Sequence, residues 1–242
     1  MPVLLAIKFE GGSVADQQDT GQPDALPLIQ DSLLRRMRTM FSLYHDAVDT
    51  MDLHHVNHVD AEGRLPIAFS LYHYVNIHDA TYMVITGQLP IWNDEWEARV
   101  QVAIPAHGKD RPVSEMANQR IGNYDAFKEY QRAVFDRTEH HLATMDPADF
   151  DRVIFAPPYP AEVADTYSAR CAGPQGITVL DAFECWHYQH GLRHMGEIEL
   201  ARGFLGLGGM TACWLATEPA TPTTRPRGST GKTLAGRCGR ST

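Results

Sequence analysis

Apolar residues recur at three- and four-residue intervals in four separated stretches of the chain, and that periodicity predicts four long helices. In the first, Leu33, Leu34, Met37, Met40, Phe41, Tyr44, Ala47, Val48 and Met51 form one stripe, with Asp31 or Ser32 placed to cap its start. The second runs from Ile67 to Thr86 with Phe69, His73, Ile77, Ala80 and Val84 on one face. Pro66 suits its first turn, and Gly87 and Pro90 end it. The third follows Asn123, turns Phe127, Tyr130, Val134, Thr138, His141, Leu142 and Met145 inward, and stops at Asp146-Pro147. The fourth, Val179 to Leu205, would bury Leu180, Phe183, His187, His190, His194, Ile198, Ala201 and Leu205, with Gly206, Gly208 and Gly209 closing it.

Residues 88–122 lack sustained periodicity and read as a connection with one short helix around Ser114 to Arg120. Residues 146–178 form a second, proline-rich connection with a turn of helix at Pro147 to Val153. No stretch carries a β-hairpin signal. The fold class expected is therefore all-α, a four-helix bundle with long connections after the second and third helices. Residues 1–28 hold Gly11, Gly12, Gly21, Pro23 and Pro27 and read as an N-terminal extension, leaving the bundle at 29–213. Residues 214–242 change character: Thr, Pro and Gly dominate, and five basic residues stand against the single Glu218, the composition of a disordered tail.

Composition narrows the function. Of 242 residues, 43% are hydrophobic and 21% charged, enough for a buried core. A net charge of −9 argues against nucleic acid as the main partner. The four cysteines form no C-x-x-C pair and read as free thiols in a reducing compartment. No run is long and apolar enough for a signal-peptide core or a membrane span, so a soluble cytoplasmic protein is expected.

The twelve histidines are the unusual count, and some fall in a chemical arrangement. His190 and His194 are four apart on one helix, the spacing at which two imidazoles reach one metal ion. His73, on the second helix, could supply a third nitrogen. Three neutral imidazoles leave one position of a tetrahedral divalent metal open, as a catalytic site requires. The intervening Gly191-Leu192-Arg193 lacks the glutamate of H-E-x-x-H, so the zincin pattern fails. Glu184 to His187 is a single E-x-x-H, and a di-iron bundle needs two. Glu197 could orient a ligand imidazole or accept a proton. Trp186, Tyr72 and Tyr44 are candidates to line a pocket, although helix-borne aromatics also serve as plain core. His54, His55 and His58 fit a solvated loop, and Cys185 a packed thiol.

The stretch His190-Gly191-Leu192-Arg193-His194-Met195-Gly196-Glu197-Ile198, followed by Arg202-Gly203-Phe204-Leu205-Gly206, resembles the last helix of the DinB-like superfamily. That group includes the YfiT-type proteins and the thiol-dependent isomerases and transferases. The segment Ile67 to Asp79, with His73, resembles the second helix of the family, and Ser114-Glu115-Met116-Ala117 leading to Tyr124 resembles the approach to its third. The resemblance spans residues 30–210. It implies a bundle binding a divalent metal, zinc or nickel, through His73, His190 and His194; Glu197, three residues beyond His194, is the candidate catalytic group by its position. The resemblance also implies a low-molecular-weight thiol cofactor, deprotonated on the metal and attacking a small-molecule electrophile, in S-transfer or isomerisation. His187 and His78 are extra histidines beside this set. A non-catalytic metal sensor, a metal-dependent hydrolase using the same ligands and a metal-free bundle are the competing expectations, and a bundle face could support a homodimer.

Overall fold

The computed structural model describes residues 25–59, 64–108 and 111–210. The chain is mostly helical, as its periodicity predicts. Helix α1 spans Ala25–Asp49, α2 Leu53–Asn57, α3 Ile67–Thr86, α4 Asp94–Val100, α5 Val113–Met116 and α6 Tyr124–Thr144. A 3₁₀ turn, Pro147–Asp151, leads to strand β1 (Val153–Phe155), then α7 (Ala161–Ala164), α8 (Tyr167–Cys171) and strand β2 (Ile177–Thr178). The chain ends its described part in one continuous helical rod: α9 (Val179–Ala182), a π-helical segment Phe183–Gln189, and α10 (His190–Phe204).

Helices α1, α3, α6 and the final rod form the bundle, with α1 and α3 each packed against both α6 and α10. Stacked Phe41 and Phe135, 4.2 Å between centroids, join α1 to α6. Stacked Tyr44 and Tyr74, 4.7 Å apart, join α1 to α3. Arg202 is buried and binds the end of α1 through the Ala47 carbonyl and Thr50 Oγ1, satisfying groups that the helix terminus leaves without an internal partner.

Several boundaries differ from the sequence expectation. Helix α1 begins at Ala25, ahead of Asp31 and inside the expected extension, because a proline in the first turn (Pro27) costs no hydrogen bond. Gln30 then ties this early turn to the carbonyls of Leu142 and Met145 at the end of α6. The rest of the extension and the 214–242 tail lie outside the described residues. Helix α4 falls in the connection that lacks periodicity; Asn93 caps it from its side chain and Asp94, Glu95 and Glu97 fill its acidic first turn. Helix α5 stops at Met116, short of Arg120. His54 and His55 sit on the short helix α2, where Asp52 and His55 form a reciprocal cap.

Strands β1 and β2 pair antiparallel, Val153 opposite Thr178 and Phe155 opposite Ile177. They escape a local reading because α7 and α8 are inserted between them. The largest difference concerns α3. Its buried residues run nearly all round the helix, from Ile67 through Ile85; of the stripe read from sequence, Phe69 and His73 are buried and Ile77, Ala80 and Val84 lie on the more open side. A helix apolar on every face is a central one, with no preferred outer stripe to read.

A candidate metal centre between α3 and α10

His73 on α3 and His190 and His194 on α10 come together, each offering a ring nitrogen within 4.8 Å of the others. Ring centroids are 4.6 Å apart for His190 and His194, 4.7 Å for His73 and His194, and 5.4 Å for His73 and His190. His73 and His194 are buried, and His190 opens onto a cavity. These three residues could hold a metal ion.

Each imidazole is oriented by a partner behind it. His73 Nδ1 lies 2.5 Å from the backbone carbonyl of His107, which can only accept, so this nitrogen carries the proton. His194 Nδ1 donates to Glu197 Oε2 at 2.7 Å, and Ser70 Oγ donates to the same oxygen at 2.8 Å. The backbone carbonyl of Trp186, one turn before His190 on the rod, stands behind its ring and favours a proton there. With those N–H groups committed, the remaining nitrogens present lone pairs to a common point, and Nε2 of His190 faces Nε2 of His194 at 2.9 Å. Two lone pairs at that distance repel unless a cation or a proton stands between them. Carbonyl or carboxylate acceptors behind ligand histidines are the usual means of fixing their tautomer.

Electrostatics favour the same state. Burial, offset in part by the His107 carbonyl and reinforced by His194, pushes the His73 imidazole down to about 4. Burial, then the charges that His194 and His73 would carry, pushes His190 well below its usual range. Both are therefore neutral at physiological pH, as ligands must be. Burial alone would raise the Glu197 carboxyl, but hydrogen bonds from His194 and Ser70 and the nearby imidazoles outweigh it, so the group stays ionised.

Two glycines are required by this geometry. Gly108 turns the chain with φ +84° just after His107, and a Cβ there would sit 2.2 Å from Met116 Sδ. The connection that carries it is clamped by Gln119, whose amide holds both N–H and C=O of Ile104, and by Asn57 on Ile121. Gly191, between the two ligands of α10, lets that helix approach so closely that a Cβ would meet Met40 Sδ at 2.4 Å and Tyr74 Oη at 2.6 Å. Its carbonyl accepts from Tyr44 at 2.8 Å, so the fully buried Tyr44 supports α10 from the core. Tyr72 likewise is core, bonded to the Pro105 carbonyl.

His187 and His78 do not join the centre. They stack face to face, 3.7 Å between centroids, in the fully buried interior. Thr138 gives its proton to the Val134 carbonyl and Thr81 gives its own to that of Ile77, so each hydroxyl oxygen accepts from an imidazole Nε2–H, of His78 and His187 respectively. His187 Nδ1 is left buried with no hydrogen-bond partner. The π segment turns His187, buried as its sequence position predicts, away from the metal centre: the wider helix shifts every residue before His190 relative to those after it.

A cavity of about 460 Å³ opens at His73 and His190. Ile77, Ala80, Thr81 and Val84 of α3 form one wall, and Cys185, Trp186 and Arg193 of the rod form another. Phe155 and residues of α7 and α8 cover it. From His73 onward, the stripe read from sequence is thus the cavity wall. Ser70 and Glu197 line a separate hollow of about 510 Å³ beside Leu200 and Phe204. Neither the α7–α8 cover nor the His107 carbonyl left a signal in the sequence, since a backbone oxygen has no residue type.

No family model and no curated protein matches the chain. Among solved structures, its fold is similar to the crystal structure of a conserved protein from Enterococcus faecalis, with a TM-score of 0.54 at 12% identity, covering 72% of this chain and 97% of that one. At that identity the likeness is one of fold. Among the described residues, no helix is long and apolar enough to cross a membrane.

Proposed function

We propose that this chain is a divalent-metal protein of the DinB-like kind, with His73, His190 and His194 as ligands and a thiol-dependent transferase or isomerase activity in the adjoining cavity. The observation that carries the reading is the convergence of three imidazoles whose other nitrogens are backed by His107, Glu197 and Trp186, beside a mostly apolar hollow. A divalent cation, zinc or nickel, held by three neutral nitrogens lowers the pKa of a thiol bound at its open position.

The residues of the chain supply the rest. His190 presents the open side of the centre to the cavity. Ile77, Ala80, Val84 and Trp186 exclude water and receive an apolar electrophile. Glu197 lines the hollow on the far side with Ser70, so its role is to hold His194 in the ligand tautomer, more than to touch the substrate.

The test is elemental analysis of protein purified without a histidine tag, beside a His190→Ala/His194→Ala variant. About one equivalent of metal per chain is expected in the parent and none in the variant. A panel of low-molecular-weight thiols and electrophiles should then show turnover by the loaded parent alone. Tight metal binding without any turnover would replace the transferase reading with a sensor; no metal in either protein would overturn both.

A further inference from the structure

Beside the cavity, and independent of the metal centre, the structure brings two cysteines together. Cys185 lies in the π segment, buried, on the cavity wall. Cys171 ends α8 and is exposed. Helix α8 packs against the π segment, and the Cys171 thiol, next to burial, is a cause that pushes the Cys185 thiol up. The neighbouring pair fixes this register: Trp186 Nε1 donates to Ser168 Oγ at 2.8 Å, and Ser168 is buried. Ser168 and Cys171 are one helical turn apart on α8 and Cys185 directly precedes Trp186, so the Trp186–Ser168 bond sets the two cysteines beside each other, with Cys171 on the solvent side of that contact. Both cysteines are free thiols.

We propose that Cys171 and Cys185 form a peroxide-sensitive dithiol, closing to a disulfide that fastens α8 over the mouth of the cavity. The exposed Cys171 meets the oxidant first. Its thiolate attacks one oxygen of hydrogen peroxide, breaking the O–O bond, and leaves as a sulfenic acid with release of water once the second oxygen is protonated. The Cys185 sulfur then attacks the Cys171 sulfur, displacing the hydroxyl; the thiol proton of Cys185 leaves with it as a second water. Two thiols are oxidised and one peroxide reduced to two waters. The division of labour follows from burial, which pushes the Cys185 thiol up to about 12 and makes it a poor first nucleophile toward a solute but a well-placed resolving partner.

The consequence lies in the cover of the cavity. In the dithiol form α8 is held to the rod by the Trp186–Ser168 bond and side-chain contacts, all reversible. In the disulfide form the same wall is covalent, and passage of a solute past Tyr167 and Trp186 is restricted.

The experiment uses the full chain carrying Cys213→Ser and Cys238→Ser, so that two thiols remain, treated with hydrogen peroxide and digested with trypsin without reduction. Both cysteines fall in the peptide from Cys171 to Arg193, which should lose the mass of two hydrogen atoms and regain it with dithiothreitol. Adding dimedone during oxidation should label Cys171 in a Cys185→Ser variant and leave the parent unlabelled. A dimedone-labelled Cys171 in the parent, a disulfide between chains, or two thiols unchanged by peroxide would each overturn the proposal. The parent peptide mass needs no folded variant, so a failure of Cys185→Ser to fold leaves that decision intact. None of these readouts depends on metal or turnover, so the outcome stands apart from that of the proposed function.

Discussion

Nε2 of His190 and Nε2 of His194 face each other at 2.9 Å, with Glu197 committed to the far nitrogen of His194. The carboxylate therefore sets both the tautomer and the basicity of the ligand. Glu197→Ala should weaken metal binding by about 10- to 100-fold while the helical circular dichroism persists. Ser70→Ala, which removes a donor from the same oxygen, should have a smaller effect. Competition against a chromophoric chelator measures both; equal affinities for Glu197→Ala and the parent would exclude the orienting role.

Gly191 is a packing requirement more than a flexible joint. Met40 can swing aside, but Tyr74 is fully buried, with its hydroxyl held by the His187 carbonyl at 3.1 Å. Gly191→Ala should cost about 1–3 kcal/mol through overpacking and push α10 off α3. Because His190 and His194 flank it, metal affinity should fall along with stability. Urea denaturation and chelator competition on the same variant report the two losses.

Asp79 is fully buried and accepts from the N–H groups of Ile91 and Trp92, the Tyr130 hydroxyl and Arg137. It anchors the turn after α3 to α6 and leaves no carboxylate capacity unused. Asp79→Ala strands two amides and the buried Tyr130 hydroxyl and takes from the partly exposed Arg137 its carboxylate partner, leaving it the Leu89 carbonyl and the Tyr82 ring, and should destabilise by roughly 2–4 kcal/mol. Metal binding by the folded fraction should persist, since no ligand touches this network.

The stacked pair His78 and His187 predicts acid sensitivity. Burial is the main cause that holds both below the usual 6.5, with His187 down to about 3. The unfolded chain therefore binds protons that the native state refuses. Stability is full above 6.5 and falls as pH drops from 6.5 towards 3, by roughly 1.4 kcal/mol per unit for each histidine. Thermal melts of metal-free protein between pH 7 and 5 should shift steadily downward. A His187→Phe variant, which removes one proton-refusing ring and the unpartnered Nδ1, should flatten that slope.

Ile77 stands one turn beyond His73 on the cavity wall. Ile77→Trp should fill the space before the open side of the centre without touching a ligand. In cobalt-loaded protein, a small thiol is expected to shift the visible absorption of the parent and leave that of Ile77→Trp unchanged, at equal cobalt content.

The four long helices and the chemical set on them are legible from the order of residues alone. Periodicity is a local property of the chain, and the four-residue spacing of His190 and His194 puts two imidazoles together on any helix. Which face of α3 meets the core was not local: a helix buried on nearly every side takes its orientation from its neighbours, and the latter part of its readable stripe became a cavity wall. The π segment depends on packing against α1 and α8, so it left no mark that could separate His187 from His190. The acceptors behind the ligands are two backbone carbonyls and one carboxylate, and only the fold aims a carbonyl. The pairing of Cys171 with Cys185 had no spacing to announce it either. The kinds of atom at the centre come from the sequence, and their common point of aim comes from packing, because direction is a property of the assembled bundle.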